Sequence, residues 1–327
     1  MTALTMPAHS GHDASRRPVP WRRMAWVTWR QHRLTVAGLV AVLGAVSLYL
    51  LFIGQQARGF SGIAGHSLTL TAALFQVIPA LIGAFVGAPV LAKELETGTF
   101  RYTWTQGFGR ARWTVATLAP LAITVTVLAG AVGLVFTWCY EPLIGGRYGS
   151  NPLAGNTFDL HEVAFAAWTL TAFSIGVLAG ILIRRVVPAM FATLVAWSGL
   201  AVVTGVFLRP HYEALLITSK PNLPSTDWVM NQWWTRGGKP VSSSMIDEVL
   251  QKAGARVGDG AVIQSPGSAL GTMSPTQYLL QHGFTQLTSY QPASRFWPFQ
   301  WIEGGWLLAL SLLLMGAAVW LVHRRAV

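Results

Sequence analysis

Charge is what this chain of 327 residues most lacks. Asp, Glu, Lys and Arg make up 11% of it, against the ~25% of an ordinary soluble protein. Hydrophobic residues are 52% and mean hydropathy is +0.45. A soluble chain so poor in charge cannot cover its surface, which excludes a cytosolic enzyme and a disordered scaffold. Cysteine is nearly absent too. Cys139 is the only cysteine and cannot form a disulfide within the chain, which excludes a disulfide-stapled secreted domain. Gly-x-x-x-x-Gly-Lys-Ser/Thr is missing, so the chain has no phosphate loop of that kind. Gly-x-Ser-x-Gly is missing as well: Ala172-Phe173-Ser174-Ile175-Gly176 comes nearest and lacks the first glycine. His161-Glu162 begins like a zinc-protease helix, but Phe165 stands where the second histidine belongs. No catalytic group and no metal site is predicted.

What is present is long apolar runs. A bilayer core of about 30 Å needs about 20 apolar residues at ~1.5 Å rise each. Six windows qualify: Leu34–Gly54, Leu68–Leu91, Trp113–Cys139, Val163–Ile183, Val186–Leu208 and Gly304–Val322. None contains Asp, Glu, Lys or Arg, and each such residue at a helix centre would cost ~2.5–3.5 kcal/mol. Windows four and five are separated only by Arg184-Arg185, which predicts a tight hairpin with Pro188 in the first turn of its second helix. The first run is too long for a signal-peptide core and lacks a small-x-small cleavage site, so it stays as a span.

Arginine sets the orientation. With both ends cytoplasmic, the inner segments hold fourteen basic residues against Asp13, Glu94 and Glu96, which is the whole net charge of +11. The outer segments cancel. The basicity is thus a topology signal with some anionic-lipid attraction, not a nucleic-acid surface. The fold class this predicts is an all-α polytopic membrane protein: six transmembrane helices, N and C termini cytoplasmic, and a small α/β or irregular extracellular insertion before the last helix.

The organisation follows. Residues 1–20 read as a disordered cytoplasmic leader. Residues 21–33 form an interfacial amphipathic helix, with Trp21, Met24 and Trp29 on one side and Arg30 and Arg33 on the other; ordinary flanking anchors for the first span are the alternative. Residues 34–208 hold spans one to five and a cytoplasmic loop, 92–112, far longer and more polar than a simple reconnection needs. Its mixed charges and Trp104 point to a docking surface, with a solvated linker as the alternative. Residues 209–300 are the insertion, where Ser274-Pro275-Thr276-Gln277 spells a capping box, Gly283 a stop, 244–254 a second short helix and 284–290 a strand. Residues 301–327 carry span six and a cytoplasmic tail. Within the spans, Gly83-x-x-x-Gly87 and Gly176-x-x-x-Gly180 permit close helix packing, and Pro79, Pro89 and Pro120 permit bends.

The 92–112 loop carries a resemblance. Glu94-Leu95-Glu96-Thr97-Gly98-Thr99, with Arg110 and Arg112 before span three, resembles the acidic-x-Glu-x-Gly-Thr signature of ABC-2 type transporter permeases. Trp29-Arg30-Gln31-His32-Arg33, Trp104-Thr105-Gln106 and Pro292-Ala293-Ser294-Arg295-Phe296-Trp297 resemble a subgroup in GC-rich bacteria, and an arginine-to-lysine count of 19 to 4 agrees with such a genome. The resemblance implies the transmembrane subunit of a bacterial ABC exporter in the plasma membrane. It implies no cofactor on this chain, with ATP and Mg bound by a separate cytoplasmic ABC ATPase subunit. It further implies a homodimer or heterodimer of permeases, and a coupling role for Lys93, Glu94, Glu96, Gly98, Thr99, Arg101, Trp104, Gln106, Arg110 and Arg112. Glu94 and Glu96 are the expected polar contacts to the ATPase and Gly98 the turn. Charge-free spans favour a hydrophobic or amphipathic cargo (drug, antibiotic, peptide or lipid) over bare ions. Two other readings stay open: a membrane enzyme acting on lipid or polysaccharide through Asp227, Asp247, Glu248 or Asp259, and a non-transporting sensor or immunity subunit.

Overall fold

The computed structural model describes residues 21–59, 71–97, 110–141, 151–153, 155–220, 223–258, 261–264 and 273–325. The expected leader, and Gly98, Thr99, Arg101, Trp104 and Gln106 of the loop, lie outside the described residues.

Among the described residues six helices are long and apolar enough to cross a membrane, which makes the chain a multi-pass membrane protein. Span one is a single helix, Trp21–Gly59. Residues 21–33, the expected interfacial element, are continuous with span one, and no glycine or proline interrupts the run between them. Trp26 and Trp29 are exposed, and the Arg30 guanidinium lies 5.5 Å from the Trp26 ring.

Span two, Thr71–Thr97, is irregular. A turn at 76–77 precedes Ile78–Ile82, whose first turn holds Pro79, and Gly83–Gly87 is π-helical. The last stretch, Ala88–Thr97, runs past the window's end at residue 91, since Ala-Lys-Glu-Leu-Glu are all strong helix formers. Span three, Arg110–Tyr140, keeps Pro120 inside the helix. The expected loop 92–112 is therefore helical at both its ends.

Span four, Glu162–Ile183, is the axis of the bundle and the most buried of the six. Phe165, Phe173 and Val177 sit in a core shared with Leu43, Leu121, Val125 and Leu321 from spans one, three and six. The predicted hairpin forms. Arg184 caps span four in the left-handed region at φ 58, and extended Arg185 opens span five at Val186. Span five ends in a π-helical turn, Thr204–Leu208, and a 3-10 turn, Arg209–His211. Span six, Phe296–Arg325, starts eight residues before its apolar window. Most of the remaining surface of spans one and five is exposed and apolar, as a lipid-facing surface must be.

The insertion is an α/β unit. A four-stranded antiparallel sheet has the order β1-β6-β2-β3, from Leu216–Thr218, Phe284–Gln291, Trp228–Arg236 and Lys239–Val241. Gly237 and Gly238, both at positive φ, close the β2–β3 hairpin in the manner two-residue turns favour. Helices Ser243–Lys252 and Pro275–Gln281 bury Ile246, Leu250 and Leu279 against Phe284. The capping box forms as its spacing predicts, with Ser274 and Gln277 satisfying each other's backbone. A two-stranded ribbon pairs Ala255–Gly258 (β4) with Ala261–Gln264 (β5).

Candidate functional site

Two polar constellations sit at opposite ends of the bundle. At the end where the helices begin at Trp21 and stop at Arg325, Lys93, Glu94 and Glu96 lie on the last turns of span two. Glu96 is exposed and its Oε2 accepts the backbone N–H of Val186 at 3.1 Å. A carboxylate at the first turn of a helix satisfies an otherwise orphaned donor and meets the positive end of the dipole. The end of span two is thereby tied to the start of span five. Glu94 is half-buried instead. It lines a cavity of about 490 Å³ between spans one and two with Gln31, His32, Thr35, Lys93 and Thr97. Glu94 Oε2 and His32 Nε2 are buried there with no hydrogen-bond partner among the described residues. Arg112 is half-buried at the start of span three, Arg33 is exposed, and the backbone of Arg110 opens that helix. The side chains of Trp21, Met24 and Arg110 lie outside the described residues.

The four glycines join spans two and four backbone to backbone. A Cβ at Gly83 would lie 2.4 Å from the Ala172 carbonyl oxygen, at Gly87 2.6 Å from that of Phe173, at Gly176 2.2 Å from that of Gly83 and at Gly180 2.5 Å from that of Ala88. The π-helical turn of span two lies on this seam. Such turns are rare within α-helices and frequent at functional sites.

The insertion end holds a cluster that the sequence reading missed. Arg209 is 1% exposed and Glu303 is fully buried. The guanidinium donates from Nε to Glu303 Oε2 at 3.0 Å and from Nη2 to Oε1 at 2.7 Å, and Nη2 also bonds Asp159. Glu303 accepts two more bonds, from Trp168 Nε1 at 2.8 Å and Tyr212 Oη at 3.0 Å. Trp306 Nε1 donates to Tyr212 Oη, and the guanidinium stacks 4.4 Å from the centre of the Phe158 ring. Burial, with Glu303 nearby, pushes the Tyr212 phenol up. Beside it, Gln300 accepts from Ala164 N–H and donates to the Phe158 carbonyl. Spans four, five and six are thus pinned by one enclosed polar network. Arg209 and Glu303 each stand one residue outside an apolar window, which made them look like flanks; their opposite signs at the two mouths of the insertion were the available signal.

Next to this cluster, His161 caps span four and is 1% exposed. Thr137 donates its hydroxyl to Glu162, so its contact with His161 Nδ1 at 2.8 Å requires the imidazole to donate from Nδ1. Nε2 is left as a buried acceptor with no partner among the described residues, and the ring is surrounded by Phe136, Tyr140 and Phe296. Burial pulls its pKa down to about 4. Among the described residues no group of three or more His, Cys, Asp and Glu could hold a metal ion. Cys139 is buried and donates to the Leu50 carbonyl at 3.2 Å.

Six spans, a small-residue seam and an α/β insertion before the last helix define a polytopic helical membrane protein. The family model described as ABC-2 membrane transporter related matches residues 54–209, from the end of span one to the end of span five, and it supports an ABC-2 type permease. That family is a transporter permease, not an enzyme class, and in general associates with an ABC ATPase and dimerises. The comparison with curated proteins and the comparison with solved structures each found no match.

Proposed function

We propose that this chain is the membrane-spanning permease subunit of an ATP-driven exporter in a bacterial cell membrane, with both termini cytoplasmic and the insertion outside. Two permeases form the pathway. A separate ATPase subunit, which binds the ATP and Mg, docks beneath residues 92–112, and closure of the ATPase pair pushes on this segment. The cargo is a hydrophobic or amphipathic compound.

The observation that carries the reading is the Glu96–Val186 bond. A push on the end of span two reaches the hairpin between spans four and five without any intervening flexible loop. The family match over residues 54–209 supports the same reading. The polar cavity at His32 and Glu94 offers groups that have no hydrogen-bond partner among the described residues to a polar side chain of the ATPase.

The experiment is co-purification with the ATPase, followed by ATP turnover. Joint replacement of Glu94, Glu96 and Gly98 is expected to release the ATPase or abolish the permease-dependent rise in turnover. Unchanged complex formation together with unchanged stimulated turnover contradicts the assignment.

A further inference from the structure

A cavity of about 380 Å³ opens between spans two, four and five at the insertion end. Pockets of about 300–1,000 Å³ hold small organic molecules. Its walls are mostly apolar and aromatic, with Val77, Pro79, Phe165, Trp168, Trp197 and Val202, and its polar side chains are Gln76, Ser198 and the charged pair Asp159 and Arg209. We propose that this cavity binds an organic cation, an amine or quaternary centre carried on an apolar body, and that such cations are the cargo class.

The argument is one of charge. Two carboxylates, Asp159 and Glu303, share one guanidinium. Glu303 is enclosed and takes four hydrogen bonds, so its charge is spent. Arg209 is 1% exposed and held by both acids. The unmatched negative charge therefore belongs to Asp159, whose side chain keeps 26% of its surface open and lines the cavity. A carboxylate in apolar surroundings attracts a counter-cation far more strongly than one in water. Trp168 and Trp197 on its wall are of the residue type that binds ammonium centres best. An anion is repelled by the more open Asp159, while Arg209 is nearly enclosed and already paired with both acids. A neutral guest desolvates the carboxylate with nothing in return. Trp197 Nε1 is buried with no hydrogen-bond partner among the described residues. Burial pushes the Asp159 carboxyl up to about 7 against the pull of Arg209, and Glu303 adds to the rise. Arg209 and Glu303 are the charged groups facing it, with Tyr212 behind Glu303.

The cargo assignment rests on the transport reading, but the binding measurement needs no ATPase, so the two fail separately. Equilibrium dialysis of the purified chain in neutral detergent at pH 8 compares tetraphenylphosphonium with tetraphenylborate, ions of one shape and opposite charge. The cation is expected to bind and the borate not. Asp159→Asn is expected to weaken the cation at least tenfold. Ala201→Phe, which fills the cavity without touching the charge cluster, is expected to abolish binding and decides the matter if Asp159→Asn fails to fold. Displacement of the bound cation by short-chain phosphatidylethanolamine and not phosphatidylglycerol supports the same cation site with a lipid headgroup as its source. Displacement by neither supports a free cation. Equal binding of the borate, or wild-type affinity in Ala201→Phe, overturns the proposal.

Discussion

Removing the Glu303 carboxylate gives the sharpest view of what holds the insertion end together. Glu303→Leu deletes the acceptor of four hydrogen bonds and leaves a 1% exposed guanidinium with Asp159 as its single acidic partner in the cluster. Breaking one side of a buried ion pair costs about 3–5 kcal/mol, whereas replacing both partners with apolar groups is often nearly neutral. For a chain of this size the single variant is expected to melt on the order of 10 °C lower. Arg209→Met is expected to do the same by stranding Glu303. The double variant Arg209→Met with Glu303→Leu is expected to recover at least half of the loss. Cys139 is the only cysteine and is fully buried, so heating with a thiol-reactive fluorogenic maleimide reports global unfolding without further labels. Single variants melting within about 2 °C of the parent, or a double variant showing the sum of two losses, would refute the network as the pin of spans four, five and six.

Three further outcomes follow from the geometry. Between pH 7 and 5 the unfolded chain protonates the residue 161 imidazole while the folded chain, with its pKa near 4, does not; stability is lost as pH falls, by about 2 kcal/mol at pH 5. Asp159, raised by burial, acts in the opposite sense, so the test is the melting difference between the parent and His161→Asn across that range, which is expected to close as pH drops. Gly176→Ala places a methyl 2.2 Å from the Gly83 carbonyl oxygen and is expected to destabilise by about 1–3 kcal/mol, while Gly199→Ala, with nothing within 4 Å, is expected to be neutral or mildly stabilising. Ser274→Ala removes the capping box of the Pro275–Gln281 helix and is expected to cost about 1 kcal/mol, read as faster amide exchange within that helix.

The spans were legible because a bilayer imposes a length and a polarity on anything that crosses it. Helix ends were less so. An apolar window stops at the first charge, but Lys93, Glu94 and Glu96 continue span two and Glu303 sits inside span six, since helix propensity and a buried partner both tolerate charge there. Local signals in the insertion transferred well: Ser274 with Gln277 caps a helix whatever surrounds it. The Arg209–Glu303–Asp159 cluster was hidden because its members are 50 and 94 residues apart in the chain and each alone resembles a flank. The bond of Glu96 to Val186 depends on how span two meets the hairpin, which no local pattern encodes. Gly83 and Gly176 were visible as small-residue spacings, but which helices they join was not.

The most direct test of the account places a single reactive cysteine at Gly98 in a Cys139→Ala background and labels it with a membrane-impermeant maleimide. Labelling only in permeabilised cells or inverted vesicles, and protection once the ATPase is bound, is the predicted result. Labelling of intact cells would put the segment after span two outside the membrane and contradict the claim that a motor grips it there.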